Sequence, residues 1–192
     1  MSEKVQLKGG ICEPCSDITK LGDILLGGVR MNEKNENGNS RKKYLLILPC
    51  SKRKKPVSKA QALELYDGPF YRVVGKAKPQ NLDILILSAK YGLIGSNESI
   101  SYYDQMMTAE RAEELASEII MKLEKSLRYG CYAEVFINLG KRYMLALDAG
   151  KNMLDEYNVY WASGQIGERS HQLKNWLESI GAEAEGPNDQ LE

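Results

Sequence analysis

The chain has 192 residues, of which 43% are hydrophobic, 27% charged and 8% aromatic, a balance that fits one globular domain with a short appendage and excludes two full domains. No apolar run reaches the roughly 20 residues a bilayer crossing needs, so no membrane partner is expected. Lys+Arg and Asp+Glu both number 26, so a net charge of zero excludes steering of a polyanion by the molecule as a whole. The charge is instead segregated. Arg41, Lys42, Lys43, Lys52, Arg53, Lys54, Lys55 and Lys59 follow one another with no acid between them, whereas Glu178, Glu183, Glu185, Asp189 and Glu192 follow Lys174 with no base.

The opening MSEKVQLKGG lacks the charged-then-apolar order of a secretory signal. A reducing, cytoplasmic setting is therefore expected, and the four cysteines read as thiols. Residues 1–40 hold one short apolar stretch, 21–29, followed by the polar run 32–40, and read as an appendage with a solvated linker. The boundaries expected are 1–40 for that appendage, 41–181 for an α/β domain and 182–192 for an acidic, disordered tail. Residues 44–48 (Tyr-Leu-Leu-Ile-Leu) form an apolar run stopped by Pro49, as in a strand buried on both faces. Residues 83–87 and 134–138 repeat the pattern, and 157–161 is a weaker fourth case.

Helical signals fall between these runs. Ser58 reads as the cap of a helix carrying Ala60, Leu63 and Leu65, and 70–77 as a second short helix. The clearest helix starts at Thr108, with Glu110, Glu113 and Glu114 near its beginning and Leu115, Ile119, Leu123 and Leu127 spaced by four. Another follows Gly140 with Tyr143, Leu145 and Leu147, and the last runs over 167–180 to a stop at Gly181. Strands alternating with helices predict a single α/β domain with a parallel or mixed sheet of about four or more strands, covered by helices on both faces.

Ligands of such sheets collect beyond the carboxyl ends of the strands. The residues there are Pro49-Cys-Ser-Lys-Arg-Lys-Lys-Pro56, Ser88-Ala-Lys-Tyr-Gly-Leu93, Asn138-Leu-Gly140 and Ser163-Gly-Gln-Ile-Gly167. Cys50, beside Ser51, Lys52 and Lys55, reads either as a nucleophile whose thiolate is favoured by positive neighbours or as a small residue closing a strand. The lysines read as a phosphate-binding group or as a solvated face. Asp104, after Tyr102 and Tyr103, reads as general base, nucleophile, or ion-pair partner of Lys90 or Lys52. Gly140, Gly164 and Gly167 could let backbone amides approach an anion. Cys12 and Cys15 form a CxxC pair without a second pair, and His171 is the sole histidine, so neither a metal nor another cofactor is expected.

The ordered set Cys50-Ser-Lys-Arg-Lys, Ala62-Leu-Glu-Leu-Tyr66 with Phe70, Ile86-Leu-Ser-Ala-Lys-Tyr-Gly-Leu93, Ile100 with Tyr103-Asp104, and Gly164 with Ile166-Gly-Glu-Arg169 resembles the YaaA-like superfamily, small proteins related to a peroxide stress protein. The likeness runs over residues 45–177. It implies a compact α/β fold with a basic cleft and a link to DNA under oxidative stress. A fainter similarity is to the core domain of archaeosine synthase, on Pro49-Cys50, Lys55-Pro56 and Ser58, with one extra residue in the spacing and no following histidine.

Both relatives point toward nucleic-acid bases. The expected function is modification or repair of a base in DNA or RNA. Cys50, Asp104 and Lys90 are read as catalytic, and Ser51, Lys52, Lys55, Ser88, Tyr91, Tyr103, Asn138, Gly140, Gly164 and Gly167 as substrate-binding, with Tyr91 or Tyr103 stacking on the base. The alternatives are a non-catalytic DNA-binding protein of the stress response and an enzyme on a free nucleotide or nucleoside.

Overall fold

The computed structural model describes residues 42–77 and 80–185. The appendage, its apolar stretch and the pair Cys12 and Cys15 lie outside them.

Five strands form one mixed sheet: β1 (Lys43–Pro49), β3 (Leu82–Ser88), β4 (Gly92–Gly95), β6 (Tyr132–Ile137) and β7 (Val159–Trp161), in the order β4-β3-β1-β6-β7. β1 lies parallel to both β3 and β6, and β6 parallel to β7, while β4 returns antiparallel on β3. The central place of β1 explains its composition. Leu45, Leu46, Ile47 and Leu48 have no exposed surface, because each side chain alternately meets a helix layer above or below. On one face Tyr44, Leu46, Leu48, Ile86 and Phe136 pack with Phe70, Val74, Leu173 and Trp176, which belong to α2 (Pro69–Ala77) and α5 (Ile166–Glu185). On the other, Leu45, Ile47, Leu87, Val135 and Ile137 meet Leu115, Ile119, Leu123 and Leu127 of α3 (Ala109–Gly130). The spacing of four on α3 is thus its sheet-facing stripe. Thr108 caps it by accepting the Arg111 N–H at 3.1 Å.

Several elements differ from the sequence expectation. The helix expected from Ser58 is a strand at its start. β2 (Lys59–Gln61) pairs antiparallel with β5 (Ser99–Ser101), and only α1 (Ala62–Leu65) is helical. Tertiary pairing overrides the local cap signal here, since Tyr102 N–H donates to the Ser58 carbonyl at 2.9 Å. After Gly140 the α-helix α4 (Lys141–Met144) ends before Leu145, and a 3-10 helix (Asp148–Leu154) follows. α5 begins at Ile166 and passes through Gly181 to Glu185, because one glycine costs about 1 kcal/mol and the Ala and Glu residues beyond it favour helix. Cys50 is a free thiol, whereas Cys131, also read as a thiol, is disulfide-bonded.

Candidate functional site

Three parallel strands deliver their last residues side by side. Cys50 follows β1, Ser88 ends β3 and Asn138 follows β6, with Cys50 N–H donating to the Leu87 carbonyl and Asn138 N–H to the Ile47 carbonyl, both at 2.9 Å. Alternation puts Ser88 and Asn138 on the face that holds Ile86 and Phe136, toward α2 and α5.

Ser88 anchors a chain of buried hydroxyls. Its Oγ accepts the N–H groups of Lys90 and Tyr91, each at 3.2 Å, and lies 2.7 Å from the Tyr103 hydroxyl. Tyr103 is in turn 2.7 Å from the Tyr66 hydroxyl. A hydroxyl has one donor and two acceptor positions. With both acceptor positions of Ser88 taken by backbone N–H groups, its proton goes to Tyr103, that of Tyr103 goes to Tyr66, and the Tyr66 O–H is the donor left at the end. Burial pushes the Tyr66 phenol up to about 12, and Tyr103 higher still, with the nearby Cys50 sulfur adding to the shift of both. These phenols stay protonated.

The segment after Cys50 is pinned against the residues beyond α1. Lys55 N–H donates to the Leu65 carbonyl at 2.8 Å, Asp67 N–H to the Arg53 carbonyl at 2.9 Å, and Lys54 bridges Tyr66. Extended backbone sends alternate side chains to opposite sides, which divides the basic run. Arg53 turns out to Asp67, which it meets through Nη2 at 2.6 Å, and that carboxylate also holds Arg72. Lys54 turns in, with its ammonium 4.2 Å from the centre of the Tyr103 ring. Burial lowers its pKa, while Cys50 and Asp104 act the other way. Lys52 and Lys55 face solvent. Ser51 packs on Gly68, where a Cβ would come 2.7 Å from the Ser51 Oγ, so a larger residue there would turn that hydroxyl aside.

Of the residues read as catalytic, Lys90 has a ring contact with Tyr103. The Lys90 ammonium lies 5.8 Å from the centre of that ring and 5.2 Å from that of Tyr91. Asp104 is the exposed neighbour of Tyr103, and both Cys50 and Asp104 are close enough to Lys54 to shift its titration. The Cys50 thiol, half-buried, lies 3.2 Å from the Tyr143 hydroxyl, which also reaches the Cys50 carbonyl at 3.4 Å. Tyr71 closes the floor by donating to the Pro49 carbonyl at 3.0 Å. Tyr103 itself is buried, its hydroxyl engaged and its ring covered by Lys54, whereas Tyr91, which meets it edge-on at 5.4 Å, is half-buried.

Residues at the far side of β1 form a second group. Asn138 is wholly buried with neither amide atom partnered, and Gly140 lies against the guanidinium of Arg169. Gly164 and Gly167 lie between the carboxyl end of β7 and the first turn of α5. Gly164 has φ +88° and makes the turn into α5, where the Glu168 carboxylate accepts the Gln165 N–H at 2.6 Å and so occupies the helix start. Space around a Gly167 Cβ is open.

Lys54, Tyr66, Tyr143 and Arg169 are absent from the site read in the sequence. Tyr66 and Arg169 are carried by the resemblance motifs and Lys54 by the basic run, but nothing in the spacing distinguishes Tyr143. Among the described residues, no group of three or more His, Cys, Asp or Glu is placed to hold a metal ion, and no helix is long and apolar enough to cross a membrane.

The fold and this cluster of side chains define a single-domain α/β protein with its candidate site at the carboxyl ends of parallel strands. The chain belongs to DUF6884, a family of unknown function, whose model matches residues 45–175. No curated protein matches it. A crystal structure of AF0587, a protein of unknown function, is similar at 18% identity with a TM-score of 0.46, over 71% of this chain and 45% of that one. The chain thus spans a little under half the length of that protein.

Proposed function

We propose that the protein is an enzyme that modifies a nucleobase, taken one nucleotide at a time into the cleft at the ends of β1, β3 and β6. The observation that carries this reading is the half-buried Cys50 thiol between the Tyr143 hydroxyl and the lysine–tyrosine cluster of Lys54, Lys90, Tyr91 and Tyr103. Lys54 serves as proton acceptor and charge partner. Its amine, made easier to deprotonate by burial, takes the Cys50 proton, and the resulting ammonium and the Tyr143 O–H stabilise the thiolate. The thiolate then adds to an electron-poor carbon of the base, which lies along Tyr91; the C–S bond forms as the ring C=N or C=C π bond breaks, and its electron pair passes to the adjoining ring atom, which takes a proton from solvent. Asp104 keeps Lys54 charged once the proton has moved.

The resemblance to YaaA-like proteins and to the archaeosine synthase core supports a base as the target. The divided basic run favours a single nucleotide, extruded from DNA or RNA or free in solution, over a long stretch of backbone. A non-catalytic DNA binder would use a continuous phosphate track, yet Arg53 is engaged by Asp67 and Lys54 faces inward.

Alkylation of Cys50 by iodoacetamide tests the reading. It is followed by peptide mapping in the presence of nucleoside monophosphates, single-stranded and duplex DNA, or tRNA. At least one of these should slow labelling severalfold, and mass spectrometry of its nucleosides should reveal a changed base with wild type and none with Cys50→Ala. Unchanged labelling with every class, or base conversion that survives Cys50→Ala, would refute it.

A further inference from the structure

The carboxyl end of β6 and the first turn of α5 bury polar atoms that no described residue satisfies. Neither Oδ1 nor Nδ2 of the wholly buried Asn138 has a hydrogen-bond partner, and Nε and Nη1 of Arg169 are buried in the same condition. Buried polar groups are almost always paired, and four such atoms at one strand end are a costly arrangement for an interior with only a structural task.

The fold brings the two side chains to one place. Phe136 faces α2 and α5, and Ile137 faces α3, so Asn138 faces α2 and α5 at the carboxyl end of β6. Arg169 stands one helical turn before Leu173, which fills the same layer, and its guanidinium carbon lies 5.1 Å from the centre of the Phe70 ring. The two terminal nitrogens of Arg169 lie 3.7 and 3.8 Å from where a Cβ would sit on Gly140, two residues after Asn138. Glu168, next to Arg169 in sequence, is engaged with the Gln165 N–H, and Arg169 forms no ion pair with a described residue. A guanidinium laid on an aromatic face, with N–H donors buried and uncompensated, is preorganised for an oxyanion.

We propose that Asn138 and Arg169 form an oxyanion subsite of the cleft. The Arg169 N–H groups and the Asn138 Nδ2 hold a phosphate or carboxylate of the ligand, and the Asn138 Oδ1 accepts from a donor on the same ligand. This rests on the reading of the cleft as a ligand site, and not on the chemistry assigned to Cys50. Phosphate and carboxylate present the same bidentate edge to arginine, and the experiment separates them.

Urea-unfolding midpoints are measured for wild type, Arg169→Gln, Asn138→Leu and Cys50→Ser at matched ionic strength in sodium chloride, inorganic phosphate, a nucleoside 5′-monophosphate or acetate. At least one of the three anions should raise the wild-type midpoint saturably, phosphate and nucleotide for a phosphate subsite, acetate for a carboxylate one. Arg169→Gln and Asn138→Leu should need at least tenfold more of it, while Cys50→Ser keeps the full shift. Asn138→Leu should also unfold at higher urea than wild type in chloride alone, because it removes the orphaned amide at similar volume. Should that variant not fold, Arg169→Lys, which keeps the charge and loses the fork, replaces it and should show the same tenfold weakening. The proposal is overturned if no anion raises the wild-type midpoint above that in chloride, or if Arg169→Gln keeps the shift. Failure of the base-modification reading alone would leave the anion shift intact.

Discussion

Replacing Tyr103 by Phe removes one oxygen from the middle of the buried hydroxyl chain and leaves the ring, with its edge contacts to Tyr66 and Tyr91, in place. Two hydrogen bonds of 2.7 Å disappear, and their other ends, Ser88 with no exposed surface and Tyr66 at 2%, stay in the interior. Ser88 retains its two backbone N–H donors but has no acceptor for its own proton, and Tyr66 loses the donor it accepts from. An orphaned buried group costs about 1–3 kcal/mol, so with two such groups Tyr103→Phe is expected to cost about 2–6 kcal/mol in all. That is a large part of the stability of a domain this size, commonly about 5–15 kcal/mol. Urea unfolding with unchanged slope measures it. Ser88→Ala supplies the second edge of a cycle, and the double variant should cost less than the sum of the singles by about 1 kcal/mol or more, since each single orphans what the double removes. A Tyr103→Phe cost below about 0.5 kcal/mol, the range of neutral surface changes, would refute the hydroxyl chain as described.

Two further outcomes test the surroundings of the site and the packing of α3. Lys54 has a folded-state pKa below its ordinary 10.5, so the unfolded chain binds more protons between the two values. Its contribution is fully present above pH 10.5 and is lost as pH falls through the folded value, so wild type should gain stability on Lys54→Met as pH climbs from 7 to 10.5, and a gap that stays constant across urea midpoints would contradict the burial of Lys54. Gly130→Ala should destabilise by about 1 kcal/mol or more in thermal unfolding, although Gly to Ala inside a helix ordinarily stabilises by about that amount. The new Cβ would run into the Tyr132 ring, which is held by its 2.6 Å hydrogen bond to Asp83 and lies under the Lys43 ammonium.

The parts of the fold legible in the sequence are those decided by short-range periodicity. Residues 44–48 and 83–87 read as buried strands because the strands sit inside the sheet, where both faces demand apolar side chains. The stripe of α3 read as helix because its four-residue spacing has a single explanation. β4, β2 and β5 carry no such mark. Gly-Leu-Ile-Gly is too short to show alternation, and Lys59-Ala-Gln61 is a strand only because Ser99-Ile-Ser101 lies opposite it. The end of α3 was equally hidden, since Cys131 with φ 47° takes the left-handed position where a glycine would have announced a stop.

The site was legible where it is made of strand ends, since a parallel sheet gathers the residues after its strands whatever they are. That rule places Cys50, Ser88 and Asn138 together without a coordinate. It is silent about direction, and direction decides role. Lys52, Arg53, Lys54 and Lys55 are equivalent in a sequence, but one hydrogen-bonded register against residues 65–67 sends Lys54 onto Tyr103 and Arg53 onto Asp67. Tyr103 reads as a stacking platform from its neighbours, yet the two acceptor positions of Ser88 make it a link in a hydroxyl chain. Arg169 lies some thirty residues beyond Asn138, on a helix whose apolar stripe begins only at Leu173. Helical spacing alone makes it the first polar position above the core, and the fold sets that position over the Phe70 ring and against Gly140. A side chain at the boundary between a buried stripe and a strand end can thus face water, a neighbour or a ligand, and the unpaired amide of Asn138 beneath it is the observation that favours the ligand.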